Sequence, residues 1–190
     1  VQNLNLGITP DRLARRTEAL RLMEAGFINE NRGLAAVEHA KVVQKTLNLM
    51  TSHQMEAFRV EKESAAVRER YGENGFGRGC LLARRLVESG VPFVEVNLGG
   101  WDNHQNIFQT LENTNLPRLD QGMSALLEDL SARGMLDSTA VIWMGEFGRT
   151  PRINGDGGRD HWARSWSVAV GGAGMNPGIA IGQTNDDGTR

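Results

Sequence analysis

The sequence predicts an α/β fold in which a mostly parallel sheet is flanked by helices and preceded by a helical portion. Residues 91–98 are rich in β-branched and aromatic side chains and end at Gly99-Gly100, as a strand that opens into a loop does. Residues 116–133 carry apolar side chains at helical spacing, and residues 140–144 are nearly all apolar, as in a strand buried on both faces. Strand, long helix and strand predict a βαβ unit with parallel strands.

The amino-terminal portion, residues 1–75, is predicted to be a helical lid or subdomain, and residues 76–190 are predicted to form the α/β portion. Thr9-Pro10-Asp11 offers a capping hydroxyl, a proline suited to the first helical position and an early acid, and Gly26 is predicted to end that helix. The other predicted elements are three helices and two weaker strands: 36–50, 64–71, 78–88, 167–170 and 179–181.

Composition excludes several classes of function. The chain has 190 residues, 39% of them hydrophobic, and a formal net charge of −2, which gives no electrostatic reason to expect nucleic acid or an anionic membrane as a partner. No apolar run approaches membrane-spanning length. Cys80 is a lone cysteine in an apolar stretch and is predicted to lie on a buried helix face. The opening at Val1 and the turn-like tail at 186–190 predict an internal or carboxyl-terminal fragment of a longer protein.

Three glycine-rich loops carry carboxylate or imidazole groups: 99–104, 145–151 and 157–162. The first two follow the predicted strands, and the third precedes the next strand candidate. Ligands of open α/β sheets gather on the loops at the carboxyl ends of the strands. Two of the four histidines lie in these loops close to an aspartate. This concentration is the main functional signal in the sequence.

Asp102 and His104 alternate about Asn103, so in an extended loop both side chains point the same way and can share one ion. A mixed oxygen and nitrogen set suits zinc, manganese or iron, whereas carboxylates alone suit magnesium or calcium. The alternative is that Asp102 caps a following helix over 105–111 and that His104 lies exposed. This pair alone leaves both interpretations open.

Glu146 directly follows the apolar strand and a glycine, where a carboxylate can bind metal or act as a general base. The alternative is a salt bridge from Glu146 to Arg149 or Arg152. Arg149 is a candidate clamp for a tetrahedral anion through its planar guanidinium, or else a solvated surface arginine.

Asp160-His161 predicts a metal-binding histidine with an adjacent carboxylate. Taken alone, the pair is better explained by a histidine packed against Trp162 or Trp166 and held by a backbone carbonyl. Together with the other two loops, the metal interpretation is favoured. The remaining histidines, His39 and His53, are predicted to be ordinary helix residues.

Three segments, 91–104, 144–151 and 158–162, resemble the family catalogued as domain of unknown function fifteen-oh-one. Their central motifs are Gly99-Gly100-Trp101-Asp102-Asn103-His104, Gly145-Glu146-Phe147-Gly148-Arg149 and Gly158-Arg159-Asp160-His161-Trp162. That family is similar to a branch of the alkaline phosphatase and sulfatase superfamily. The resemblance extends over nearly the whole chain.

The resemblance implies a partial alkaline phosphatase-like sheet with one or two divalent ions at the carboxyl ends of its strands. Asp102 and His104 are similar to a ligand pair of that superfamily, Glu146 stands where an aspartate ligand is usual, and His161 is similar to a late histidine ligand with Asp160 beside it. The implied ion is zinc, manganese, magnesium or calcium. Phe147 departs from the pattern, because a metal ligand usually follows the strand-end acid.

The implied activity is hydrolysis of a small anionic ester or a sulfated carbohydrate, with sulfate or phosphate as the group released. The resemblance assigns the nucleophile to an amino-terminal segment that precedes these motifs. A twin-arginine export signal is frequent among relatives, which implies a periplasmic or extracytoplasmic location. Phe147 favours the alternative hypothesis, a non-catalytic metal- or ligand-binding module descended from the same fold.

Overall fold

The structure is a computed structural model that describes residues 7–29 and 34–189. Its contacts divide the chain into two compact units, residues 1–59 and residues 60–190. The boundary predicted from the sequence, between residues 75 and 76, falls inside the second unit. The described helices include none that is long and apolar enough to cross a membrane.

The first unit contains two long helices, α1 (Pro10–Asn29) and α2 (Leu34–Thr51), followed by a 3₁₀ segment at His53–Phe58. The backbone N–H of Arg12 donates to Oγ1 of Thr9, so the predicted hydroxyl cap is formed. Helix α1 continues through Gly26, the predicted stop, because a glycine inside a helix costs only about 1 kcal/mol. A side-chain contact between His39 and Glu24 joins the two helices, with Nδ1 2.5 Å from Oε1.

The helical part of the second unit consists of α3 (Ala65–Tyr71), α4 (Gly75–Glu88), the single turn α5 (Ile107–Thr110), a π-helical turn (Leu111–Asn115) and α6 (Leu116–Ala132). Short 3₁₀ turns lie at Val60–Lys62 and Leu136–Ser138. Helices α3, α4 and α6 pack on one another. The predicted helices at 64–71, 78–88 and 116–133 are therefore confirmed.

Apolar side chains from α3, α4 and α6 form the core. Tyr71, Cys80, Leu81 and Ala125 are buried together, with half-buried apolar neighbours around them: Val60, Val67, Phe76, Val96 and Leu126. Cys80 lies on a buried helix face as predicted, and burial raises the pKa of its thiol to about 12. This core supports the segment that leads to the first glycine-rich loop, because Val96 packs against it.

The strands form two small antiparallel sheets. β1 (Ala140–Trp143) pairs with β4 (Ala169–Gly172), and β2 (Gly148–Arg149) pairs with β3 (His161–Trp162). The chain therefore mixes helices and strands, as predicted. The mostly parallel sheet is not present among the described residues.

Residues 91–98, predicted to be the first parallel strand, run without strand pairing in the structure. One side of this segment packs against the helical core through Val96, and no described strand lies alongside to pair with it. The strand predicted at 140–144 is formed as β1, but its only strand partner among the described residues is the antiparallel β4. The prediction at 167–170 overlaps β4, whereas 179–181 is not a strand.

Candidate metal centre

Backbone hydrogen bonds join the three glycine-rich loops. Gln105 forms an isolated antiparallel bridge with Gly157, and Arg159 donates its N–H to the carbonyl of Asn103. Pairing of β2 with β3 places Arg149 opposite His161. The second unit therefore brings the first loop next to the other two, which lie more than forty residues further along the sequence.

Three predicted ligands converge at this junction: Asp102, His104 and His161. Oδ1 of Asp102 lies 3.0 Å from Nε2 of His104 and 2.9 Å from Nε2 of His161. The two Nε2 atoms lie 3.3 Å apart. Two imidazole lone pairs at this distance repel each other unless a proton or a cation lies between them.

These distances fit a single metal ion. Ligand atoms about 2.0–2.1 Å from one ion are about 2.9–3.4 Å from each other at angles between octahedral and tetrahedral. One carboxylate oxygen and two imidazole nitrogens suit zinc, manganese or iron better than magnesium or calcium, which prefer oxygen. The exposed fraction of the side chain is about two fifths for His104, about half for His161 and about two thirds for Asp102, so the centre is open to solvent.

The Asp160 carboxylate lies on the other side of the His104 ring. Its Oδ1 is 2.7 Å from Nδ1 of His104, and Nδ2 of Asn154 donates to the same oxygen at 3.2 Å. Asn154 also donates to the carbonyl oxygen of His104 at 3.0 Å. Asp160 is thus in contact with a member of the converging group without belonging to that group.

Arg149 and Phe147 border the centre on the side of the second loop. Nη2 of Arg149 lies 2.7 Å from Oδ1 of Asp102, and the guanidinium also lies 5.6 Å from the centre of the Phe147 ring. The Phe147 ring packs against His161, with ring centres 4.5 Å apart. An arginine beside three ligand atoms adds a positive, planar donor group to the site.

The surroundings lower the pKa values of both aspartates. Hydrogen bonds from His161 and Arg149 hold the pKa of Asp102 at about 2. A hydrogen bond with His104 lowers the pKa of Asp160, and Asn154 adds to this effect. Both side chains are therefore carboxylates over the physiological pH range, as a metal centre of this kind requires.

Glu146 is exposed and does not belong to the converging group. Among the described residues it forms no ion pair, so the alternative salt bridge to Arg149 or Arg152 is not formed. Asp102 does not cap a helix either, because α5 begins at Ile107 after Asn106. The exposed His39 lies in α2 of the first unit, as predicted for an ordinary helix residue.

Sequence reasoning missed the contribution of Asn154, which lies in the glycine-containing run 154–158. Its Oδ1 accepts hydrogen bonds from the backbone N–H groups of Asp156 and Gly158, at 3.0 and 2.9 Å. The signal was the Asn-Gly pair in a glycine-rich run, since asparagine often bonds to the backbone two residues ahead.

The sequence of the chain, including the three loops of the centre, matches a known protein family. A family model described as a protein of unknown function, DUF1501, matches residues 2–190. The chain belongs to the DUF1501 family. The match includes all three loops of the centre, so the predicted family resemblance is confirmed. No curated protein and no solved structure matched this DUF1501 chain.

Proposed function

We propose that this DUF1501 protein is a metal-dependent hydrolase of sulfate or phosphate esters. The observation that supports the proposal is the convergence of Asp102, His104 and His161, with Arg149 directly beside them. Catalytic metal centres commonly use three protein ligands and leave a further position open for water or substrate. The exposure of the three side chains suits a substrate that arrives from solvent.

A divalent ion bound at this centre supplies a Lewis acid that polarises the ester and stabilises charge on its oxygens. Asp102, His104 and His161 hold the ion. Arg149 binds the anionic group through guanidinium N–H donors, for which sulfate and phosphate oxygens are good acceptors. Glu146 lies in the same loop as Arg149 and is retained in the proposal as a further ligand or a general base.

The proposal includes descent from the sulfatase-like branch of the alkaline phosphatase superfamily. It is supported by the order of the three motifs and by the place of Asp102, His104 and His161 within them. In this proposal the nucleophile and further sheet strands come from sequence upstream of the motifs, and the protein acts in the periplasm or outside the cytoplasm. Its substrate is a small anionic ester or a sulfated carbohydrate.

A second candidate function is a non-catalytic metal- or ligand-binding module. Phe147 favours it, because an apolar ring packs against His161 where the superfamily pattern has another ligand. A site with three ligands for a single ion is sufficient to bind a metal or an anion, and binding alone needs no second ion. The metal-binding form of this second candidate shares the ion with the first candidate, and only the first predicts turnover.

Metal content tests what the two candidates share. The longest form of the protein and this chain are incubated with zinc or manganese, separated from free ion and analysed by elemental mass spectrometry. We expect about one ion per chain, lost in His161→Ala because one of three ligands is removed. His39→Ala is the matched control, since this histidine lies in α2 and bonds to Glu24.

Turnover then separates the candidates. Hydrolysis of p-nitrophenyl sulfate or p-nitrophenyl phosphate that disappears in His161→Ala, but not in His39→Ala, supports the hydrolase. Metal binding without hydrolysis of either ester by the longest form supports the binding module. If neither form retains zinc or manganese, both metal-based proposals fail.

A further inference from the structure

A carboxylate near a metal can bind the ion itself or can hold one of the ion's ligands in place. The position of Asp160 relative to His104 distinguishes these two roles. Asp160 contacts Nδ1 of His104, whereas Nε2 of the same ring points to the converging group. The two nitrogens lie on opposite sides of the imidazole. The ring therefore stands between Asp160 and an ion held by Nε2.

Asp160 is itself fixed from several directions. Its backbone N–H donates to Oγ1 of Thr150 at 3.1 Å, and its carbonyl accepts the N–H of Thr150 at 2.9 Å. Asn154 bonds both to the Asp160 carboxylate and to the His104 carbonyl. Because Asn154 holds the two partners at once, the spacing between carboxylate and imidazole is built into the loop.

We propose that Asp160 is a positioning residue, with Asn154 as its anchor, and that it does not bind the metal. Its carboxylate accepts the Nδ1–H of His104, which selects the tautomer whose Nε2 lone pair faces Asp102 and His161. Histidines that bind metals commonly donate their other ring N–H to a carboxylate, and this bond orients the ring and increases its basicity. The inference rests on the proposed metal centre.

Zinc affinity of the full chain, measured by isothermal titration calorimetry at neutral pH, gives the first test. Asp160→Ala is expected to raise the Kd about 10- to 100-fold. The Kd of Asp160→Asn is expected to lie between those of Asp160→Ala and the wild type, because the amide oxygen still accepts the Nδ1–H. Asp156→Ala is the matched control. It removes the same charge from the same loop, where its exposed side chain is outside the converging group, and is expected to keep the wild-type Kd.

Two spectroscopic readouts distinguish positioning from ligation and from a general effect on the loop. In the zinc-loaded wild type, ¹⁵N NMR is expected to show His104 protonated at Nδ1. In the cobalt-loaded protein, Asp160→Asn is expected to keep the visible absorption of the wild type because the ligands are the same. Asp102→Asn is expected to change that absorption.

The outcomes separate this inference from the proposed function. If the wild type does not bind zinc, the metal centre and this inference both fail. If the wild type binds zinc and Asp160→Ala binds equally well, only the positioning role is overturned. A cobalt spectrum of Asp160→Asn altered in the same way as that of Asp102→Asn would make Asp160 a ligand and also overturn the inference.

Discussion

At the scale of single residues, the most unusual feature is a charged side chain in the core. Arg84 of α4 is 1% exposed, and its guanidinium meets Glu63 at 2.7 Å, Asp129 at 3.0 Å and Glu88 at 2.5 Å. The Tyr71 hydroxyl donates to Asp129 at 2.9 Å. Burying one charge is costly, but here the carboxylates around Arg84 compensate it.

Replacing Arg84 with alanine is therefore expected to lower the free energy of unfolding by about 3–5 kcal/mol, because Asp129 and Glu63 lose a buried cation. Urea denaturation followed by circular dichroism measures the loss. Arg78→Ala is the matched control, since Arg78 lies exposed on the same helix. A loss no larger than that of the control would show that the buried network does not stabilise the fold.

The residues of the candidate centre could be predicted to different degrees. Asp102, His104 and His161 stand out in the sequence because their glycine-rich loops combine carboxylate and imidazole groups, and the structure brings these three together. The bond between Asp160 and His104 depends on loops 56 residues apart, so no local pattern predicts it. The ion pairs of the buried Arg84 likewise depend on residues distant in the sequence, Glu63 and Asp129.

At the scale of elements, helix positions could largely be predicted because their signals are local. Ser64 precedes α3 and accepts the backbone N–H of Val67, as a capping hydroxyl does. Helix α6 runs from Leu116 to Ala132, close to the predicted range, and Gly134 follows with a positive φ. The predicted end of α1 at Gly26 was wrong, since nothing stops a helix from continuing through a solvated glycine.

In the loop that carries Asn154, Gly158 lies directly against the His104 backbone. A Cβ atom added to Gly158 would lie 2.0 Å from the carbonyl carbon and oxygen of His104, which is closer than real contacts allow. A Cβ atom at Gly155, in the same loop, would meet nothing within 4 Å. Of these two glycines, Gly158 is therefore the one that permits the close approach of this loop to the His104 segment.

Gly158→Ala is expected to move the 154–161 loop away from His104 and to weaken zinc binding by about tenfold or more, since orienting contacts of this kind have effects of that size. Gly155→Ala is expected to bind zinc like the wild type. Calorimetric titration of both variants measures the difference. Equal affinities for the two variants would show that the close approach at Gly158 does not support the metal centre.

At the scale of the whole molecule, strand pairing was harder to predict than strand location. The apolar run at 140–144 does contain β1, but side chains predicted to be buried on both faces are exposed: Ile142, Trp143 and Met144. A strand has the same local residue pattern with a parallel or an antiparallel partner. The partner is decided by non-local hydrogen bonds, and those of β1 go to β4 in the register Ala140 to Gly172.

The stability of the second unit depends on pH through the carboxylates around Arg84. Burial acts to raise the pKa values of Glu63 and Asp129, but hydrogen bonds to these carboxylates lower the pKa values by more. Hydrogen bonds from Arg84 and Arg85 leave the pKa of Glu63 below its usual value, and those from Arg133 and Tyr71 do the same for Asp129. A carboxyl whose pKa is lower in the folded state stabilises the fold at pH values above its unfolded pKa, near 4. This stabilisation is lost as the pH falls through the folded pKa.

The melting temperature is therefore expected to be nearly constant around neutral pH and to fall when the pH is lowered below about 4. Asp129→Asn removes one of the two titrating groups, so its melting temperature should be lower at neutral pH and decline less steeply in acid. Thermal unfolding followed by circular dichroism across this range gives both curves. Parallel curves for the wild type and the variant would mean that protonation of Asp129 does not drive acid unfolding, because a group that couples folding to pH must change the slope when it is removed.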